Sequence, residues 1–379
     1  MMTMLTVHAR PNPAKPLTWD VFCHVVDNLG DIGVCWRFCA DLAARGHRVR
    51  LWIDEPDALR WMAPGALEGH VNSVRVLHWT KPLAPGLLAG LPLADVWIET
   101  FGCRPPTELQ EHRASAIAAG EPLPVWINLE YLSAEPYVER THRLPSRVSG
   151  GPLRGAGQWF FYPGFTPATG GLLREHDLSA RQAAFDPGAW LASQGLPGTR
   201  RPRASLFCYE PAALPALLAQ AGEEMPSDWL VTAGRAGEAV DTALARGLHT
   251  GHATLHRLPR LAQRDYDHLL WACDLNFVRG EDSLVRALWA GQPFVWHIYP
   301  QHDNAHHAKL ESFLDWLQAP PSLRAFHRVW NGLAEPDAPV WPGWAVVNSW
   351  RDCVQAARAR LLAQPDLTTQ LLGFVAEKR

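Results

Sequence analysis

The sequence lacks any apolar run long enough to span a bilayer, which argues against an integral membrane protein. Residues 1–17 read as a disordered extension: Met1–Lys15 carries basic residues but not the apolar core of a secretory signal. Excess positive charge is missing too. With 35 Lys+Arg against 38 Asp+Glu the net charge is −3, which leaves no basic field for nucleic acid. The seven cysteines are odd in number and contain no CxxC pair. Most lie inside apolar runs, as expected of reduced, buried thiols in a cytoplasmic protein. Cys35 and Cys39 share a helix face, but without nearby partners they read as core. His302-x3-His306-His307 has no third ligand at a recognisable spacing and reads as surface or cap histidines, so no metal site is expected.

What is present is an ordinary soluble composition, 47% apolar and 19% charged, in 379 residues. That length is too great for one core and predicts two domains. The 18 tryptophans recur beside strand-like runs (Trp97, Trp126, Trp296), which makes most of them packing residues. A βαβ unit opens the chain. It comprises a strand from Trp19 to Val26, the loop Asp27-Asn28-Leu29-Gly30-Asp31-Ile32-Gly33, a helix from Val34 to Arg45 and a strand over Val49–Asp54. The spacing Gly30-x-x-Gly33 is not GxGxxG, and two aspartates disfavour a pyrophosphate in this loop. The glycines instead permit close backbone approach by another ligand. Asp31 reads as a functional carboxylate, while Asp27 fits either that role or an Asx-turn. Strands at Val96–Thr100 and Val125–Leu129 follow, with Glu130 and Glu135 on the same sheet edge. The Gly-, Pro- and Arg-rich stretch from Arg143 to Gly171 reads as interdomain chain.

The second half alternates β and α again. Its centre is Arg279-Gly280-Glu281-Asp282-Ser283, between the strand Leu275–Val278 and a helix that stops at Gly291. Free N–H groups at a helix start attract anions, and an adjacent arginine adds a full charge. Asp282 or Ser283 also fits an N-cap. Phe207 and Tyr209 have the chemistry to sandwich a flat base. Carboxylates on one side of a cleft and a cationic helix start on the other suit a nucleotide-linked donor and a separate acceptor. That is the logic of a metal-independent glycosyltransferase built from two Rossmann-like domains.

Taken together, Asp27–Gly33, Trp126 through Ser133, Phe165 through Gly171 and Arg279 through Ser283 resemble the signature stretches of the EarP family, the protein-arginine rhamnosyltransferases of bacterial elongation factor P. The resemblance runs from about Trp19 onward. It implies an α/β GT-B fold: residues 18–170 form an acceptor domain, 171–354 a nucleotide-sugar donor domain, and the C-terminal helix 355–379 packs back on the first. It implies transfer of rhamnose from dTDP-β-L-rhamnose to an arginine of elongation factor P, with inversion and no cofactor. By the same resemblance Asp31, Asp27 and Glu281 are catalytic. Asn28, Gly30, Phe207, Tyr209, Gln263, Tyr266, Arg279, Gly280, Asp282 and Ser283 bind the donor. A non-catalytic nucleotide-sugar-binding protein, or transfer to another acceptor, is the rival expectation.

Overall fold

The computed structural model describes residues 15–26, 29–71, 73–80, 82–83, 86–301, 304–335 and 340–379. Asp27, Asn28, His302 and most of the N-terminal extension therefore lie outside the described residues.

Seven strands form the first sheet: β1 (Thr18–Cys23), β2 (Arg48–Ile53), β3 (Val74–His78), β4 (Val96–Thr100), β5 (Val125–Leu129), β6 (Pro145–Arg147) and β7 (Gly157–Phe161). Their order is β3-β2-β1-β4-β5-β7-β6, parallel except for the β6–β7 pair. All residues of β1, β4 and β5 are buried, as expected when both faces of a parallel sheet are covered. One face carries aliphatic residues such as Val21, Ile98 and Ile127. The other is largely aromatic: Phe22, Trp52, Trp79, Trp97 and Trp126 pack together, with Trp97 edge-on to Trp126 at 5.2 Å. Fourteen of the 18 tryptophans are buried, so packing is their main task.

The second sheet has β8 (Arg203–Leu206), β9 (Ser227–Val231), β10 (Ala253–Arg257), β11 (Leu275–Arg279) and β12 (Phe294–His297), all parallel in the order β10-β9-β8-β11-β12. Among the parallel strands of each sheet the order reverses once, beside β1 in the first and beside β8 in the second. Parallel sheets open a crevice at such a point, beyond the carboxyl ends of the strands. Asp31 follows β1, Phe207 follows β8 and Arg279 ends β11, so the topology alone brings these three to facing crevices. Two facing parallel sheets flanked by helices, with a cleft between them, constitute the GT-B fold.

The final helix, Leu367–Lys378, returns to the first sheet, where Leu371, Phe374 and Val375 join its core. There Phe374 meets Trp159 at 5.6 Å and Phe161 at 5.7 Å. This corrects the interdomain reading of Arg143–Gly171. Its first part is the β6–β7 edge of the sheet, and the aromatic cluster is strand rather than linker. The sequence signal was masked because β7 is covered by a helix more than 200 residues later.

Candidate active site

The helix after β1 spans Gly30–Ala44, starting four residues earlier than the periodicity suggests. Asp31 and Gly33 are therefore helical rather than loop residues. The Asp31 carboxylate reaches back to accept the Val26 N–H at 2.9 Å, near the positive end of the helix. Though only 4% exposed, Asp31 lines a cavity of about 510 Å³ with Glu135, Gly280, Glu281, Lys309, Tyr131 and Tyr137. That volume is typical of a ligand site. Glu130 lies beside it, where its carboxylate accepts the Asn128 side-chain amide at 2.7 Å. Burial pushes the Glu130 carboxyl above its ordinary value.

Across the cleft, β11 passes directly into the helix Gly280–Ala290. Gly280 has φ of 64°, a left-handed conformation that a side chain would strain. The N-cap is Arg279 and carries no side-chain cap, so neither Asp282 nor Ser283 caps the helix; the Ser283 hydroxyl, inside the first turn, accepts the Arg279 N–H at 2.9 Å and donates to the Arg279 carbonyl. Asp282 makes no cap; its carboxylate turns instead to Arg37 of the first domain at 3.1 Å. Burial raises the Asp282 carboxyl, against the pull of Arg37 and Arg286.

Glu281 bridges the cleft. One carboxylate oxygen meets Lys309 Nζ at 2.5 Å and the other accepts the Leu132 N–H at 2.8 Å. Lys309, from the helix Ala305–Leu317, went unnoticed in the sequence; a lysine 28 residues downstream carries no local signal. In the same helix His306 is buried rather than on the surface, and its Nδ1 accepts the Gln301 N–H at 3.1 Å.

Behind the turn lies a second, tighter cavity lined by Leu29, Gly30, Phe207, Gln263, Tyr266, Arg279, Asp282 and Ser283, with Trp61 and Arg260 at its edge. The two aromatic residues read as a base sandwich hold something else. Arg279 stacks its guanidinium 4.7 Å from the Phe207 ring and 4.6 Å from the Tyr209 ring. Tyr209 is only 2% exposed beneath the arginine, so the open ring is Phe207, edge-on to Tyr266 at 5.3 Å. Arg279 is itself buried, and among the described residues its Nη1 has no hydrogen-bond partner. An unpaired cationic donor at a helix N-terminus is a site prepared for an anion. Gly30 and the Gly280–Ser283 turn border both cavities, so a molecule in the tighter one abuts the space before Asp31.

A buried ionic cluster joins the halves, and no local pattern announced it. Arg37 contacts Asp267 at 2.9 and 3.2 Å, Glu175 at 3.3 Å and the Gln263 carbonyl at 3.2 Å. Arg286 contacts the same Asp267 and Glu175, each at 2.8 Å. Burial alone would raise the Glu175 carboxyl, but Arg286 and Arg37 hold it well below the usual range. The Gln263 side chain, expected among the donor-binding residues, donates to the Gly33 carbonyl at 2.9 Å. Gly33 lets the Gln263 and Asp282 side chains approach its backbone closely. A Cβ there would sit 3.3 Å from both Asp282 Oδ2 and Gln263 Nε2.

A family model, Elongation-Factor P (EF-P) rhamnosyltransferase EarP, matches residues 19–376. The protein-arginine rhamnosyltransferase of Pseudomonas putida is 43% identical over 94% of this chain and 98% of its own. That of Neisseria meningitidis is 33% identical over 96% and 98%. A solved structure concerned with EarP-mediated arginine glycosylation of translation elongation factor EF-P superposes with a TM-score of 0.62 at 30% identity, covering 96% of this chain and all of that one. Among the described residues no helix is long and apolar enough to cross a membrane.

Proposed function

The chain belongs to the EarP family of elongation factor P rhamnosyltransferases, and on that premise we propose that it moves L-rhamnose from dTDP-β-L-rhamnose to an arginine of elongation factor P. The observation that carries this reading is the pairing of two cavities about one turn. The tighter one offers a ring, Phe207, and the unpaired Nη1 of Arg279. The larger one offers the Asp31 carboxylate. In this reading the nucleoside diphosphate occupies the first, and the sugar projects past Gly280 toward the second, where the acceptor guanidinium enters.

Guanidinium is a poor nucleophile, since its pKa exceeds about 12 and its lone pairs are delocalised. Asp31 therefore acts by orienting it and taking its proton late, as the bond forms. A guanidinium nitrogen attacks C1 of rhamnose from the face opposite the diphosphate, and the C1–O bond breaks. dTDP departs and the N–H proton passes to Asp31, with inversion at C1. Negative charge grows on the departing diphosphate, where Arg279 and the helix start stabilise it more than in the ground state. That supply of positive charge lets the reaction run without a metal. Glu281, held by Lys309 and the Leu132 N–H, borders the sugar's place and orients its hydroxyls.

The test is intact mass of elongation factor P incubated with this protein and dTDP-L-rhamnose, with and without chelator. A gain of one deoxyhexose, indifferent to chelator and lost in Asp31→Asn while dTDP still binds, is the expected result. Near-normal turnover by Asp31→Asn removes Asp31 from the role. No gain despite donor binding points to another acceptor or to a non-catalytic binding protein.

A further inference from the structure

The side chains bordering the donor cavity are not held by their own domain alone. Asp282 is tied by Arg37 at 3.1 Å, and Gln263 is tied through its carbonyl to Arg37 and through its amide to the Gly33 carbonyl. Arg37 and Gly33 are four residues apart, hence on one face of the Gly30–Ala44 helix. Asp31 stands in the first turn of that same helix, roughly 9 Å along its axis from Arg37 at 1.5 Å per residue. The opposite helix carries Glu281 and Asp282 in its first turn and Arg286 one turn further on. One guanidinium thus ties the helix bearing Asp31 to the helix whose N-terminus lies beside Arg279.

Cohesion alone does not account for this arrangement. Three arginines (Arg37, Arg286 and Arg181, which lies 3.5 Å from both Glu175 and Asp267) and three carboxylates (Glu175, Asp267, Asp282) are gathered where apolar side chains would bind the halves at least as well. Buried ion pairs repay their desolvation poorly, and their best-attested use is to set register. The planar fork of Arg37 engages both oxygens of Asp267 with Nη1 and Nη2, while Nε reaches Asp282. Lysine cannot reproduce that geometry. We infer that Arg37 is a positioning residue for the transfer, registering the helix of Asp31 against the donor turn Gly280–Ser283 through Asp267, Asp282 and Gln263. The inference rests on the transfer reaction proposed above.

Arg37→Lys keeps the charge and removes the fork, and Arg37→Met removes both. In Arg37→Lys, kcat at saturating donor and acceptor is expected to fall at least about tenfold while Tm stays near the parent's. Hydrogen exchange is read alongside. Protection is expected to drop together in segments 30–37 and 280–286, and not in the distant helix Leu214–Glu224. Asp282→Asn in the Arg37→Met background is expected to cost less than in the parent, because the two act as a pair. A kcat for Arg37→Lys within about twofold of the parent overturns the inference, whatever exchange shows. If the parent itself transfers nothing to elongation factor P, the functional reading has failed. Exchange then decides the register separately: unchanged protection in both segments overturns it, and paired loss supports it. Should Arg37→Met fail to fold, Arg37→Lys alone carries the test.

Discussion

Arg279 is the residue whose removal should speak most directly to the donor site. Arg279→Met keeps a long, polarizable side chain between Phe207 and Tyr209, where sulfur–ring contact replaces the cation–π stack. The fold around the turn should survive, since the Ser283 hydroxyl bonds only the Arg279 backbone. What disappears is a buried cation with a free Nη1 at a helix start. A unit charge about 4 Å from another is worth about 4 kcal/mol gross at an effective dielectric of 20. Desolvation reduces the net value to the 1.5–3 kcal/mol typical of a charge-assisted hydrogen bond. The Kd for dTDP should therefore rise about 10- to 150-fold. Arg279→Lys, which keeps charge but loses the fork, should fall between. Titration calorimetry with dTDP and, in parallel, with thymidine isolates the diphosphate: thymidine should bind parent and variant alike. A dTDP Kd for Arg279→Met within about twofold of the parent would refute the anion-site reasoning.

Three further outcomes are expected. Lys309→Met leaves Glu281 with the Leu132 N–H alone, and single-turnover transfer should slow roughly 10- to 100-fold; an unchanged rate would separate the Glu281–Lys309 pair from the reaction. Gly222→Ala places a Cβ 1.8 Å from the Thr250 carbonyl oxygen, which is backbone and cannot swing away. Thermal unfolding should show a loss of about 3 kcal/mol or more, and an unshifted Tm would contradict the packing of that helix on the turn before β10. Glu99 is 3% exposed, and burial pushes its carboxyl up to about 7, opposed by the Gln158 amide. Because the folded value is raised, the native state holds this proton more tightly than the unfolded chain. Its contribution is whole below the unfolded value of 4.5 and is lost as pH rises through about 7. Glu99→Gln should thus be more stable at pH 8 by up to about 3 kcal/mol, with the gap closing toward pH 4 in denaturant titrations. A pH-independent difference would show that Glu99 does not titrate there.

The strand–turn–helix around Arg279 was legible because an apolar run and a terminal glycine are local signals. β4 and β5 were legible to the residue, since strands buried on both faces are unbroken apolar runs. β3 and the β6–β7 pair were not: β3 has exposed and half-buried residues at the edge of its sheet, and β7 owes its burial to Phe374. Among the site residues, Asp31 stood out as a charge between two glycines after a strand, and Arg279 and Glu281 as charges in a strand-to-helix turn that capping does not explain. Arg37, Asp267 and Arg286 sit on helices and Glu175 in the chain just before one, where no local pattern names a partner in the other half. The capping question for the central turn was also open in the sequence, and the structure decided it for neither residue: Asp282 goes to Arg37, and Ser283 bonds back to the Arg279 backbone from within the helix.

By itself, then, the sequence determined the alternation of strands and helices, the two-domain layout and the chemistry of the central turn. Each of these follows from hydrophobic periodicity, capping and glycine within a few residues. Only the tertiary structure decided which charges meet. Arg37 and Asp282 are 245 residues apart, and Leu132 and Glu281 are 149 apart. Such pairs arise because two sheets present their switch-point crevices to each other, and burial then favours pairing among the charges caught between them, as in the Arg37 cluster, while Arg279 keeps an Nη1 without a partner among the described residues.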